Sequence, residues 1–352
     1  MKFRRCHFGI ALILALILPH TLGAAAAKKP VTAAELALYS GADRQQILEE
    51  GAKREGKLTL YTTAIVTQTV RPIVDAFQKK YPYIKVEFWR AGTTEMFPRL
   101  RQEFEAGRPV ADVVETAQAG GVMMQEAGML QPFYSPQLAF IEEGAVSKAP
   151  GGAYTAALWR TGISLGYNTK LIKKEEIPKT NQDLLDLKWK GKIAIVGSNT
   201  GITWVGALLE TYGEGFVEKV ARQKIAVHQV SARALLDMII GGEYAMSPTI
   251  RDAHINKSKQ DGAPVDWLAL EPVPASIGQI MMPLRVPHPH AALLFIDFDL
   301  SRQSGNIYVA SGYDSPRRDI KVARDYKKHY GPWTTAQERK WAAVFQKYFL
   351  NQ

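Results

Sequence analysis

The chain has 352 residues, with 44 Lys and Arg against 34 Asp and Glu, a formal charge of +10 and a single cysteine. The basic residues are scattered and form no stripe interleaved with aromatics, which argues against nucleic-acid binding, and one cysteine excludes a disulfide framework. A chain of this length is held by its apolar core alone and is expected to divide into two domains.

Residues 1–5 are basic, 8–18 almost wholly apolar and 23–27 small, the pattern of a cleaved secretory signal over residues 1–27. An uncleaved anchor is the competing reading, but the apolar run is short of the ~20 residues that a membrane span needs. Cys6 precedes the apolar run, so it does not stand where a lipoprotein signal places its lipidated residue. Removing Lys2, Arg4 and Arg5 leaves a charge of +7, a balance suited to anionic solutes. The expected address is the periplasm.

Residues 43–50 start a helix, with Lys53 and Arg54 late and Gly56 placed to end it. Residues 57–63 read as a short strand that gives way to a helix with Val70, Ile73, Val74 and Phe77 on one face, stopped by Tyr81-Pro82. A second strand, 84–89, runs through Arg90-Ala91-Gly92-Thr93-Thr94 into a helix carrying Phe97, Leu100 and Phe104. A third, 111–116, is followed by a helix that begins at Gly120-Gly121 and ends at Gly128. Three parallel strands linked by helices make one α/β lobe.

The stretches 154–159 and 162–167 alternate like extended strands. A new α/β series then begins with strands at 192–196, 225–228 and 244–247, followed in turn by a helix over 203–211, a helix over 232–240 capped by Ser231, and a helix past Arg251. A second extended passage, 276–282, precedes an amphipathic helix started by proline at 288–298, a turn at 312–318 and a last helix over 336–348. Two extended passages bracketing a middle lobe imply two crossings, and such a pair makes a hinge with a cleft between the lobes. The expected architecture is therefore an α/β protein of two lobes, one formed by residues 28–158 and 283–352, the other by 159–282.

Strand ends and helix starts meet at one sheet edge, where unpaired amides and the helix dipole favour anions. Thr62 and Thr63 end the first strand and Thr93 and Thr94 follow the second, positions where hydroxyls meet a ligand or serve as ordinary β-formers and caps. Glu95 supports the second cap. Thr200 and Gly201 stand at a second-lobe helix start, where glycine permits close backbone approach. Arg251 and Arg233 lie just past second-lobe strands, and a guanidinium fork binds a carboxylate or phosphonate with two parallel hydrogen bonds. Trp159 at the first crossing and Tyr313 before the closing turn offer stacking faces, or pack the hinge.

Gly162-Ile163-Ser164-Leu165-Gly166 fits the hydrolase pattern G-x-S-x-G and supports an alternative reading, a secreted serine hydrolase using Ser164. That chemistry needs a tight turn from strand into helix, whereas Ser164 falls inside an extended segment without an acid or histidine partner in the expected order. His288 and His290 flank a proline at a helix start, and His228 and His254 lack ligand spacing, so neither a metal site nor a cofactor is expected. The effector lobes of a transcriptional regulator would share this fold, but the export signal and the lack of a helix-turn-helix disfavour them.

The leader, Lys57-Leu58-Thr59-Leu60-Tyr61-Thr62, Ala111-Asp112-Val113-Val114 and above all His288-Pro289-His290-Ala291-Ala292-Leu293-Leu294-Phe295-Ile296-Asp297-Phe298 resemble the periplasmic solute-binding proteins of ABC importers, in the branch often labelled iron(III)-binding. The resemblance spans essentially the whole mature chain. It implies a type II, double-crossover binding protein without catalytic role, acting as a monomer, which closes on a small solute and delivers it to an inner-membrane ABC permease. It also implies that Gln118 after the third strand, with Thr200 and Gly201, cradles a bound anion. Free ferric iron is the alternative ligand, held in that family by His, Glu and a Tyr-Tyr pair. The matching positions here are Ile65, Ala117 and 250–253, which offer almost none of the donors that hard ferric iron wants. A small anion, or a metal held through an anionic complex, is the expected solute.

Overall fold

Strands β1 (Lys57–Thr62), β2 (Lys85–Arg90) and β3 (Val113–Ala117) are parallel, with β1 in the middle. Short strands β4 (Leu130–Gln131) and β5 (Val146–Ala149) lead into β6 (Gly152–Asn168), which at 17 residues is the longest element of the chain. Then come β7 (Ala194–Val196), β8 (Ala226–His228), β9 (Met246–Arg251), β10 (Val265–Leu268), β11 (Val273–Pro283) and β12 (Lys328–Tyr330). The computed structural model describes residues 29–321 and 326–351, so the leader expected over residues 1–27 lies outside the described residues. Among the described residues no helix is long and apolar enough to cross a membrane.

The two extended passages are β6 and β11, antiparallel to each other from Thr155 to Gly162 of β6. Past that point β6 leaves β11 and pairs with β9 and β10, while β11 pairs on its other side with β3. The sheet therefore runs in the order β10-β6-β11-β3-β1-β2. One strand thus serves both halves, and each half keeps its own core. Leu58, Leu60, Val113, Ile280 and Phe295 belong to one, and Leu165, Ile193, Ile195, Trp204 and Val205 to the other.

The helix Pro289–Asp299 is buried nearly all round, with Leu293, Leu294, Phe295 and Ile296 fully covered, rather than amphipathic as its sequence suggests. Its N-terminus is capped by two carboxylates from elsewhere. Asp112 accepts from the backbone N–H of His288 and contacts its Nδ1 at 2.9 Å, and Glu55 does the same for His290 while also accepting from the Ala291 N–H. Negative charge at a helix start is favourable, and this pairing gives His288 and His290 a structural role.

The chain end departs from expectation. After the helix Arg302–Ala310 the backbone passes the hinge a third time, where Asp314 exchanges backbone hydrogen bonds with Arg160 at 2.9 Å each. It then adds β12 in parallel to β11 at Val273–Ala275. The helix Thr335–Phe345, placed with the first lobe by the range 283–352, touches that lobe at its start, where Thr335 donates to Glu126, but packs its apolar face against Asn199–Tyr212 of the second. The reason is the apolar face Trp341, Val344, Phe345 and Phe349. Trp341 is fully buried over Gly206, where a Cβ would stand 2.0 Å from its ring, and its Nε1 donates to Glu210 at 3.0 Å.

Candidate functional site

Strand ends from both halves converge on residues 159–163 of β6. Ala117, the last residue of β3, is in register with Gly278 of β11, and Gly278 with Trp159. Arg251, the last residue of β9, is in register with Ile163, and its Nη1 donates to Thr161 Oγ1 at 2.9 Å. Helices open directly from these ends: Gln118–Glu126 after β3, Asp252–Gln260 after β9, Asn199–Tyr212 after β7. The N-caps of the first and last of these, Ala117 and Ser198, make no side-chain capping bond to the leading amides.

Thr62 has no free hydroxyl for a solute. It is fully buried, donates to Glu115 Oε2 at 2.8 Å and accepts from the Ala64 N–H at 3.0 Å. Thr63 is partly exposed at the same strand end, its N–H bound to the Glu115 carbonyl. Thr93 and Thr94 open the helix Thr93–Glu105, but their side chains lie outside the described ones. Gln118 is the first residue of its helix, and its Nε2 is buried without a hydrogen-bond partner. A buried orphan donor is costly unless something accepts from it.

In the second lobe the helix begins at Asn199, four residues before the expected start, so Thr200 and Gly201 lie within its first turn. Gly201 answers to packing rather than to a ligand. A Cβ there would stand 2.0 Å from the Val196 carbonyl oxygen, and its amide already donates to Ser198. Arg233 is likewise committed, tying two helices together through Ser258 Oγ at 2.7 Å and Asp237 Oδ1 at 2.6 Å. Arg251 differs. It is half-buried, and among the described residues Thr161 is its hydrogen-bond partner and no carboxylate makes a salt bridge to it. Asp252 beside it is turned to the N–H groups of Gly162 and Ala253 and to the Tyr326 hydroxyl. Burial pulls the Arg251 guanidinium below its ordinary pKa, with Tyr313 and Asp252 only partly offsetting it. Desolvation, first, and then the charges of Arg251 and Arg233 push His254 down to about 4, so it is neutral at pH 7.

Trp159 and Tyr313 meet with ring centroids 4.5 Å apart and planes at 34°. Sequence reasoning did not find Thr161, which holds Arg251, or Gly278, on which the Trp159 indole lies. It also did not find Gln279, whose two side-chain polar atoms are buried without partners. The hydrolase reading fails on geometry: Ser164 is buried in β6 opposite Ile250, and among the described residues no base reaches its Oγ.

Beneath the first-lobe edge lies a closed acidic cluster. Glu115 and Asp299 share a hydrogen bond and are bounded by Thr62, Ser304 and Tyr308. Burial, and then the Asp299 charge, raise Glu115 well above the carboxylate range, and burial lifts Asp299 to about 6. The native state therefore holds protons that the unfolded chain, with carboxylate pKa values of about 4, has released. Stability from this pair is fully present below about pH 4 and declines as pH rises through 6. Glu115→Gln mimics the neutral acid and keeps both hydrogen bonds. It is expected to raise stability at pH 8 and to flatten the dependence of the denaturation midpoint between pH 5 and 8.

No curated protein matches the chain in sequence. Among solved structures it is similar to ferric iron-binding protein A of Mannheimia haemolytica in an open conformation, with a TM-score of 0.71 and 16% identity over 83% of this chain and 98% of that one. It is also similar to the Trichodesmium IdiA (FutA) protein in complex with iron and citrate, at 0.70 and 18% over 83% and 99%. A third neighbour is the periplasmic binding protein AfuA of Actinobacillus pleuropneumoniae with fructose-6-phosphate bound, at 0.62 and 19% over 85% and 100%. At these identities the likeness is one of fold, that of the two-lobe periplasmic binding proteins. The model of the bacterial extracellular solute-binding proteins matches residues 63–305, and with the strand ends of two lobes meeting at a shared crossing strand, the chain belongs to that family.

Proposed function

We propose that the protein is the periplasmic receptor of an ABC importer, taking one small anionic solute between its lobes and delivering it to the membrane permease as a monomer. In this reading the first lobe is residues 28–158 with the chain from 283 to the third crossing, and the second is 159–282 with the closing helix. The observation that carries the anionic preference is Arg251, a half-buried cation hydrogen-bonded to one hydroxyl and, among the described residues, to no carboxylate. A buried charge without a counter-ion is unfavourable, and an arriving anion removes that cost. The uncapped amides at Gln118 and Asn199 add donors of the same sense. Ile65 and Ala117 offer no metal donor, and among the described residues no group of three His, Cys, Asp or Glu side chains could hold an ion. A metal therefore enters this reading only through an anionic chelator.

Thermal denaturation against organic acids, phosphonates, phosphate, ferric citrate and spermidine tests this. A true anionic solute at a hundredfold excess over its Kd stabilises the protein by about 2.7 kcal/mol through mass action. A shift with spermidine and none with any anion would sink the reading.

A further inference from the structure

We infer that the solute is an organic anion with one charged group and a flat, unsaturated body, the charge seated on Arg251 and the body against the Trp159–Tyr313 pair. The inference rests on the anionic reading above and narrows it to a chemical class.

The aromatic pair is built as a fixed platform. The Trp159 indole lies across the bare backbone of Gly278, where a Cβ would stand 2.1 Å from the ring, so a side chain at 278 would displace it. Tyr313 is held on both sides along the chain: its own N–H donates to the Tyr308 carbonyl, Asp314 exchanges two backbone hydrogen bonds with Arg160, and Ser311 Oγ donates to the Gln68 carbonyl at 2.6 Å. Both rings pack against the first core at its edge, and both stay partly exposed. Rings fixed at low conformational cost and left partly uncovered favour a flat partner.

The charges around the platform set the sign and the number. Arg251 is close enough to act on the Tyr313 phenol, so a cationic guest on the rings would meet a like charge. His254 is neutral, Arg233 is paired with Asp237, and Asp252 and Asp314 are engaged with Gly162 and Arg160. Arg251 is therefore the cation left without a carboxylate in salt-bridge contact among these residues, which suits one anionic group rather than the several of a tricarboxylate. Along the chain from β1, Ile65 is 44% exposed. It caps the short turn Val66–Val70 whose Gln68 carbonyl holds Ser311, two residues before Tyr313. An apolar side chain so placed is suited to covering the body of a guest rather than a hydrated ion.

Isothermal titration of the mature protein with four probes, benzoate, acetate, inorganic phosphate and benzamide, separates the possibilities. Benzoate is expected to bind at least tenfold more tightly than acetate or phosphate, and benzamide, which has the ring without the charge, at least tenfold more weakly than benzoate. Trp159→Leu and Tyr313→Leu are each expected to bring benzoate down to the affinity of acetate. Acetate or phosphate binding within threefold of benzoate, or a benzoate preference that survives both substitutions, overturns the inference while leaving the anionic reading intact. Benzamide binding as tightly as benzoate overturns both, and no binding by benzoate at 10-fold the concentration at which another anion saturates overturns the inference alone.

Discussion

Replacing Arg160 by methionine is expected to destabilise the protein by about 3–5 kcal/mol, the cost of leaving buried charge without its partner. Arg160 is 1% exposed in the middle of β6. Its Nε donates to Asp314 at 2.8 Å, its Nη1 lies 2.6 Å from Glu142 Oε1, and the same nitrogen reaches the Tyr330 hydroxyl at 3.3 Å. Tyr330 in turn donates to Glu142 Oε2 at 2.6 Å. One guanidinium thus joins the crossing strand, the loop before β5 and the third pass of the chain. Burial alone would lower its pKa, yet Tyr330, Asp314 and Glu142 together raise it. Methionine keeps most of the apolar volume, so the loss measured by urea denaturation at pH 8 reports the lost ion pairs to Asp314 and Glu142, the second of which keeps Lys328 Nζ at 3.3 Å. Adding Asp314→Asn to Arg160→Met should recover about 1 kcal/mol, since a neutral amide costs less to bury than a carboxylate that has lost its cation. Stability of Arg160→Met within about 1 kcal/mol of the parent would show that the network does not hold the hinge.

The lobes were legible in the sequence wherever local pattern decides structure. The stretches 57–63, 84–89 and 111–116 carry the apolar, β-rich composition of strands, and β1, β2 and β3 form there in parallel. Both extended passages likewise become β6 and β11. What pattern does not encode is which distant element an apolar face will meet. The last helix has an ordinary amphipathic face, and only Gly206, some 130 residues earlier in the chain, leaves the space that draws Trp341 to the second lobe. Long-range pairing also hides side-chain commitments. Thr62 reads as a ligand-facing hydroxyl until Glu115, paired with it across β1 and β3, takes it. Arg233 and Arg251 occupy equivalent places after strands, and what separates them is whether a carboxylate lies one helical turn away. Asp237 does so for Arg233, a spacing of four residues that the sequence itself displays.

Arg251→Ala is expected to weaken solute binding by about 2–4 kcal/mol, some 30- to 1000-fold, measured by titration with the tightest anion found. The same substitution should leave the stability of the solute-free protein unchanged within about 1 kcal/mol, or raise it. In the empty state the guanidinium contributes a hydrogen bond to Thr161 and bears the desolvation that lowers its pKa, and these effects oppose each other. A residue kept for folding behaves the other way, losing stability on truncation and leaving affinity alone. Arg251→Lys separates charge from shape: an ammonium keeps the sign but cannot present the planar fork, so binding should fall to between the parent and the alanine variant. A lysine variant as weak as alanine would mean that bidentate geometry rather than charge selects the solute. An alanine variant that melts several degrees lower, with its affinity intact, would return Arg251 to the hinge and leave the helix amides as the anion's sole hold.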